Sequence, residues 1–333
     1  MNRTNRLLYM VAALVGLVWL FFFPHFRQAF LKQFYFMPFL GVVAATVANT
    51  TPAAAGIVYF PVLTRLSIDP ATAVQFSLII QAYGMGLGSF KWFLFNKKLF
   101  MVKLLPLCFL GGTIGIVIGI VFVPIDTPEI LTLIFNSIGF IFTQIIFFSI
   151  LLKRTYPNFT IDLNRSNVIV LFVFSLVGGI ISGWIGFGID TIFYFLLTFW
   201  YRINPAMAIV TSISLMAALS VVGTVLNLVF NSVPLALWYS AVPGVTLAGL
   251  FLASYFAVRL GARNILVLFA FLLTVDFLMA FWTQNTVPMS HTFRMILTYL
   301  IVGYLLVIHV KIFKQSYKDV NKELGEFQPN DIR

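Results

Sequence analysis

Charge is scarce in this chain. Charged side chains make up 9% of its 333 residues, where an ordinary globular domain carries roughly 25%. So little charge cannot clothe a soluble fold. No soluble domain is expected, because the longest polar stretch is the C-terminal tail after Lys311. Cysteine is nearly absent too. Cys108 stands alone in an apolar run, which excludes a disulfide framework and a thiolate metal site. The three histidines, His25, His291 and His309, are too scattered for a metal cluster. No metal, cofactor or catalytic residue is therefore expected. A Walker motif is missing as well, so uphill work would draw on an ion gradient or on the substrate's own gradient.

What fills the chain instead is hydrocarbon. Hydrophobic residues reach 61% and the mean hydropathy is +1.00. Apolar runs long enough to cross a hydrocarbon core of about 30 Å recur from residue 7 to residue 313. This is the signature of a polytopic all-α membrane protein. The first run, 7–23, is followed by "PHFRQ" rather than a small-residue cleavage site, so it reads as a retained span. The net charge of +11 is unevenly placed. Basic residues gather at Lys91/Lys97/Lys98/Lys103, Lys153/Arg154/Arg165, Arg259/Arg263 and from Lys311 onward, while 123–129, 231–236 and 283–291 have none. That bias orients membrane segments with the basic loops cytoplasmic. It reflects topology in a cell membrane, both termini inside, and not a nucleic-acid partner.

Threading the chain through these constraints gives spans at 7–23, 70–90, 104–122, 128–152, 205–230, 236–258, 264–283 and 293–313. Segments 35–66 and 166–200 remain, each too long for one span and each broken near its centre. They read as re-entrant hairpins whose arms of roughly fourteen residues, at about 1.5 Å per residue, reach the bilayer midplane. At a shift of 135 residues, Phe39, Tyr59, Phe60, Pro70, Ala73, Ser77 and Gly88 meet identical residues, and "IDPATAVQFS" (68–77) pairs with "INPAMAIVTS" (203–212). An odd number of crossings separates the copies, so the second is inverted. The expected organisation is an N-terminal helix (1–34), repeat one (35–152), a cytoplasmic linker (153–165), repeat two (166–283), and a C-terminal helix and tail (284–333). Each repeat is a hairpin followed by three spans.

The breaks are the informative feature. Asn49-Thr50-Thr51-Pro52 interrupts the first hairpin and "GWIGFGID" (183–190) the second, with Gly183, Gly186 and Gly188 freeing the backbone. Non-helical backbone at mid-membrane is tolerable only around a protein-lined or wet cavity. Pro52 suits the first turn of a new helix, leaving the N–H groups of Ala53 to Ala55 unsatisfied. Residues 189–192 would present theirs from the other side. Two opposed helix N-termini form an anion site.

With its glycine-bearing break, its apolar half-helix and then "(D/N)PxxAxxxS" opening the next span, twice in inverted halves, the chain resembles the TauE/SafE family of sulfite and organosulfonate exporters. The resemblance covers about residues 35–285 and implies an anion exporter. The family's breaks run close to GxGGG. Here the first is "NTTPAAAG", and the second keeps only Gly186-Phe187-Gly188-Ile189-Asp190.

The substrate-binding residues expected from the breaks are Asn49, Thr50, Thr51, Ala53, Trp184, Gly186, Phe187 and Gly188, with Ser77 and Ser212 behind them. The two serines line the cavity or join helices, since Ser does both in membranes. Asp190 and Asp276 lie deep in apolar segments, where charge is expensive, and are candidates for proton coupling. Each also has a structural role open to it: a cap for Asp190, an interhelical hydrogen bond for Asp276. The partners expected are a small anion, lipid and, for a homodimer, a second copy. Two other classes stay open: an anion channel of the same architecture, and a membrane-embedded enzyme, for which the scattered histidines are a poor start.

Overall fold

The computed structural model describes residues 3–125, 127–151 and 156–253, part of 255–282, and 291–326. The chain divides into two units. The first comprises Met1–Phe135 and Thr155–Leu266, the second Asn136–Arg154 and Val267–Arg333.

The first unit holds α1 (Arg3–Lys32), α2 (Met37–Thr50), α3 (Gly56–Arg65), α4 (Pro70–Phe95) and α5 (Leu105–Val117), the last extended by a π turn, Ile118–Phe122. After the start of α6 (Pro128–Leu151) come α7 (Arg165–Ile185), α8 (Ile189–Phe195) with a π turn to Trp200, α9 (Pro205–Phe230) and α10 (Leu235–Leu247) with a π turn to Leu252. Six helices among the described residues are long and apolar enough to cross a membrane: Thr4–Lys32, Leu105–Phe122, Pro128–Phe148, Arg165–Ile185, Pro205–Phe230 and Leu235–Leu252. The expected span at 70–90 lies in α4, which has the length, at 26 residues, but carries Gln75, Ser77, Gln81 and Tyr83.

The recurring Asp/Asn-Pro motif has a local cause. Asp69 accepts a hydrogen bond from the Thr72 N–H at 3.1 Å, and Asn204 accepts one from the Ala206 N–H at 3.0 Å. Each caps a helix whose first residue is proline, where a missing N–H is no loss. The two helices so opened, α4 and α9, run antiparallel. Ser89 meets Ser214 at 3.1 Å, and Gln75 meets Ser232 at 3.3 Å.

Small residues let two further pairs approach closely, as membrane helices require in the absence of a hydrophobic force between them. Along α5 and α7, which run parallel, Gly111 abuts Phe172, Gly115 abuts Gly179, and Gly119 abuts Gly183. Along α2 and α10, Gly41 abuts Ala241 and Gly244 abuts Pro38. Helix α1 packs on α10 through a reciprocal pair: Trp19 Nε1 donates to the Tyr239 carbonyl at 2.9 Å, and Tyr239 OH donates to the Trp19 carbonyl at 2.6 Å.

Both breaks differ in detail from expectation. Gly183 does not interrupt its helix, because it is needed inside α7 to meet Gly119. The break narrows to Gly186–Gly188, and α7 runs 21 residues rather than about fourteen. In the first segment α2 continues to Thr50 and α3 starts only at Gly56, so Pro52 lies in a non-helical stretch instead of a first turn. Chemistry explains the stop. Pro52 has no N–H for the Ala48 carbonyl, while the Thr51 N–H still reaches Val47 at 3.0 Å. The Thr50 and Thr51 hydroxyls turn back on the carbonyls of Thr46 (2.8 Å) and Val47 (2.9 Å), competing with the helical ladder.

In the second unit Phe140 stacks on Phe277 at 4.5 Å, and Trp282 Nε1 donates to Thr298 Oγ1 at 2.8 Å. Its long C-terminal helix, α11, spans His291–Glu326.

Candidate substrate site at the two helix breaks

The two breaks touch. Thr191, in the first turn of α8, donates from Oγ1 to the Pro52 carbonyl at 2.7 Å. Gln81 on α4 donates from Nε2 to the Gly186 carbonyl at 2.7 Å. Gly56 begins α3 beside both: a Cβ there would lie 3.1 Å from Gln81 Nε2 and 3.2 Å from the Gly186 oxygen and Ser77 Cβ. Gly186 itself has φ +75°, and a Cβ on it would meet Ser77 Cβ at 2.9 Å. Gly56, Ser77, Gln81 and Gly186 thus form one packed knot. Gly188, at φ +141°, completes the turn into α8.

Of the residues expected here, Asn49, Thr50, Thr51, Ala53, Gly186, Phe187 and Gly188 are buried in or against this region. Phe187 is held edge-on to Phe135 at 5.0 Å, and Phe135 stacks on Phe60 at 3.9 Å, so an aromatic cluster fixes the second break. Ser77 stands beside Gly186, its hydroxyl donating to Ala73 at 2.8 Å. Ser212 is not brought to its side. With Ser89 opposite Ser214, the two serines stand roughly 20 Å apart along the antiparallel pair, and Ser212 donates to Ile209 at 3.0 Å. Trp184 sits two residues before the break, with Nε1 donating to the Val123 carbonyl at 2.7 Å. It lines a cavity of about 80 Å³ with Gln75, Asn227, Asn231 and Pro124, room for several water molecules.

The expected supply of free N–H groups is partly spent. The Ala53 N–H donates to Thr51 Oγ1 at 3.3 Å, and the Ile189 N–H donates to Ser182 Oγ at 2.9 Å. The Gly188 N–H donates to Asp190 Oδ1 at 3.3 Å. Short polar side chains beside each break satisfy its amides, a local competition the spacing alone does not reveal. Asp190 is fully buried and acts as that cap, its second oxygen unpartnered. Asp276 lies outside the described residues.

Sequence reasoning passed over Thr191 and Gly56 and gave Gln81 no part in the site. Gln81, an amide in an apolar span one turn after Ser77, carried the signal. Among the described residues no group of three or more His, Cys, Asp or Glu stands together.

No curated protein and no solved structure matches the chain. Its sequence matches the family model described as Sulfite exporter TauE/SafE over residues 37–280. Six helices of membrane-crossing character and that match, spanning both breaks and the helices around them, make this chain a multi-pass membrane transporter belonging to the sulfite exporter TauE/SafE family.

Proposed function

We propose that the chain is a secondary transporter, working as an exporter, of a small anion such as sulfite, an organosulfonate or a related carboxylate. It is built as two inverted repeats, each opening with a re-entrant hairpin, and substrate binds where the hairpin breaks meet. Supporting the repeats are the antiparallel course of α4 and α9, their common 26-residue length and their shared Asp/Asn-Pro caps. The exchange of glycine seams between halves, α5 with α7 and α2 with α10, supports them equally. The end of the second broken segment also returns beside its start, with Tyr201 OH donating to Asn167 Oδ1 at 3.2 Å.

The observation that carries the site is the 2.7 Å bond from Thr191 to Pro52, which joins the breaks directly. The contact is tight, and this arrangement reads as closed around the site. A small cavity reaches Trp184, two residues before Gly186. Alternating access would part the breaks toward one face and then the other. The experiment is counterflow in proteoliposomes, with labelled sulfite, sulfonates and carboxylates offered in turn. Saturable, substrate-selective counterflow is expected. Flux that is non-saturable and shows no counterflow would replace the carrier with an anion channel, and no flux of any tested anion would overturn the reading.

A further inference from the structure

The cavity that reaches Trp184 is lined by amides whose hydrogen bonds are only half made. Gln75, on α4, accepts at Oε1 from the Ser232 hydroxyl at 3.3 Å, and Asn227, on α9, accepts at Oδ1 from Asn231 Nδ2 at 2.9 Å. Each amide thus spends its oxygen and keeps its N–H groups. Among the described residues neither Gln75 Nε2 nor Asn227 Nδ2 meets an acceptor, and neither is sealed in protein. Asn227 is only 3% exposed, so the space its amide reaches is the cavity it lines.

The two donors belong to one wall. Ser232 directly follows Asn231, so the contacts Gln75–Ser232 and Asn231–Asn227 run on from each other beside the cavity. Among the described residues no charged side chain lines it. Its volume is about 80 Å³. An oxyanion of four or five heavy atoms takes the room of roughly three waters and would fit. Neutral donors suit a ligand that must be held and then released, since bonds from charged donors are about twice as strong.

The cavity also leads from a surface to the breaks. Pro124 and Asn231, in its lining, are exposed, whereas Asn227 and Gly183 are buried. Val74 lines it and also faces the second break, where a Cβ on Gly186 would lie 3.2 Å from the Val74 carbonyl. Pro124 and Asn231 fall in two of the loops without basic residues, which the charge bias puts outside. We infer that this cavity is an outer anion site, where Gln75 Nε2 and Asn227 Nδ2 bind the oxygens of sulfite or a sulfonate between the breaks and the external face. Its place on a path rests on the transport reading above; binding in it does not. Asp69 and Glu129, at the starts of α4 and α6, are not in the lining. Their charge opposes re-entry of a released anion, as an exit requires.

The test uses full-length protein in nanodiscs, unfolded thermally in sodium chloride or sodium methanesulfonate at constant ionic strength. Methanesulfonate should raise Tm relative to chloride, and more so with concentration, because a ligand of the native state alone stabilises it. Gln75→Glu keeps an oxygen for the Ser232 hydroxyl and replaces the free donor with a charged acceptor. It should fold like wild type and need at least about tenfold more methanesulfonate for the same shift. Asn227→Ala, which removes the second donor, should also need more. Thr191→Val, altered at the breaks alone, should keep the shift at wild-type concentrations. Equal Tm in the two salts, or a shift that Gln75→Glu and Asn227→Ala leave unchanged, would overturn the site and leave the cavity to water. A shift weakened only by Thr191→Val would put the binding at the breaks and overturn it equally. Counterflow measured in parallel separates the two ideas. Counterflow without a response at Gln75 or Asn227 sinks the site and leaves the transporter. A response there with no anion carried keeps the site and takes it off any transport path.

Discussion

Thr191 Oγ1 and the Pro52 carbonyl, 139 positions apart in the chain, lie 2.7 Å from each other across the two helix breaks. This bond joins the two breaks of the proposed site directly, and its removal is the most direct test of it. Thr191→Val keeps the shape and leaves a buried carbonyl unpaired, at about 1–3 kcal/mol. Tm should fall by a few degrees, and counterflow should fall roughly ten- to hundredfold if that loss lands on the transport-competent state. Thr191→Ser should restore both. Normal counterflow in Thr191→Val would show that the breaks work independently.

The glycines of the second break make a sharper comparison. Gly186 sits at φ +75°, where a side chain costs roughly 1–2 kcal/mol, and its Cβ would also press on Ser77. Gly188, at φ +141°, occupies a region reserved for glycine. Gly186→Ala and Gly188→Ala should each abolish most counterflow. Gly86→Ala, on α4, meets nothing within 4 Å and should be indistinguishable from wild type. A functional Gly188→Ala would remove that turn from the mechanism.

Much of this was legible in the sequence, and the misses share a cause. Apolar runs and caps are local signals: Asp69-Pro70 and Asn204-Pro205 announce helix starts, and helices start there. The breaks at Pro52 and Gly186 were equally visible. Their edges were not, because Gly183 looks like a breaker until Gly119 is seen against it. The spending of the Ala53 and Ile189 amides on Thr51 and Ser182 depends on side-chain direction, which the spacing leaves open. Thr191 was invisible for the same reason. A hydroxyl in an apolar helix normally returns to its own helix, as Thr198 does to Tyr194 at 2.8 Å, and only the meeting of the breaks redirects it.

The proposed threading predicts that Thr127 and Asn158 lie on opposite faces of the membrane, with Asn158 cytoplasmic. Cys108 is buried and should contribute little background. Single cysteines at 127 and 158 should therefore label from opposite sides in intact cells with an impermeant reagent. Labelling of both from the same side would overturn the inverted arrangement.

Asp190 is a cap or a proton carrier, and one substitution separates the two. It is fully buried in the first turn of α8 and accepts the Gly188 N–H at 3.3 Å, a place where an acidic side chain complements the helix N-terminus. An asparagine oxygen can accept the same bond, whereas leucine cannot. If capping is the role, Asp190→Asn should fold like wild type, exchange anion normally and respond unchanged to an imposed pH gradient. Asp190→Leu should lose about 0.5–2 kcal/mol of stability through the lost cap alone, read as a lower Tm. A proton carrier would behave differently: Asp190→Asn would keep exchange and lose every response to pH. The cap at Gly188 leads to the first result, with exchange and its response to pH the same in wild type and in Asp190→Asn.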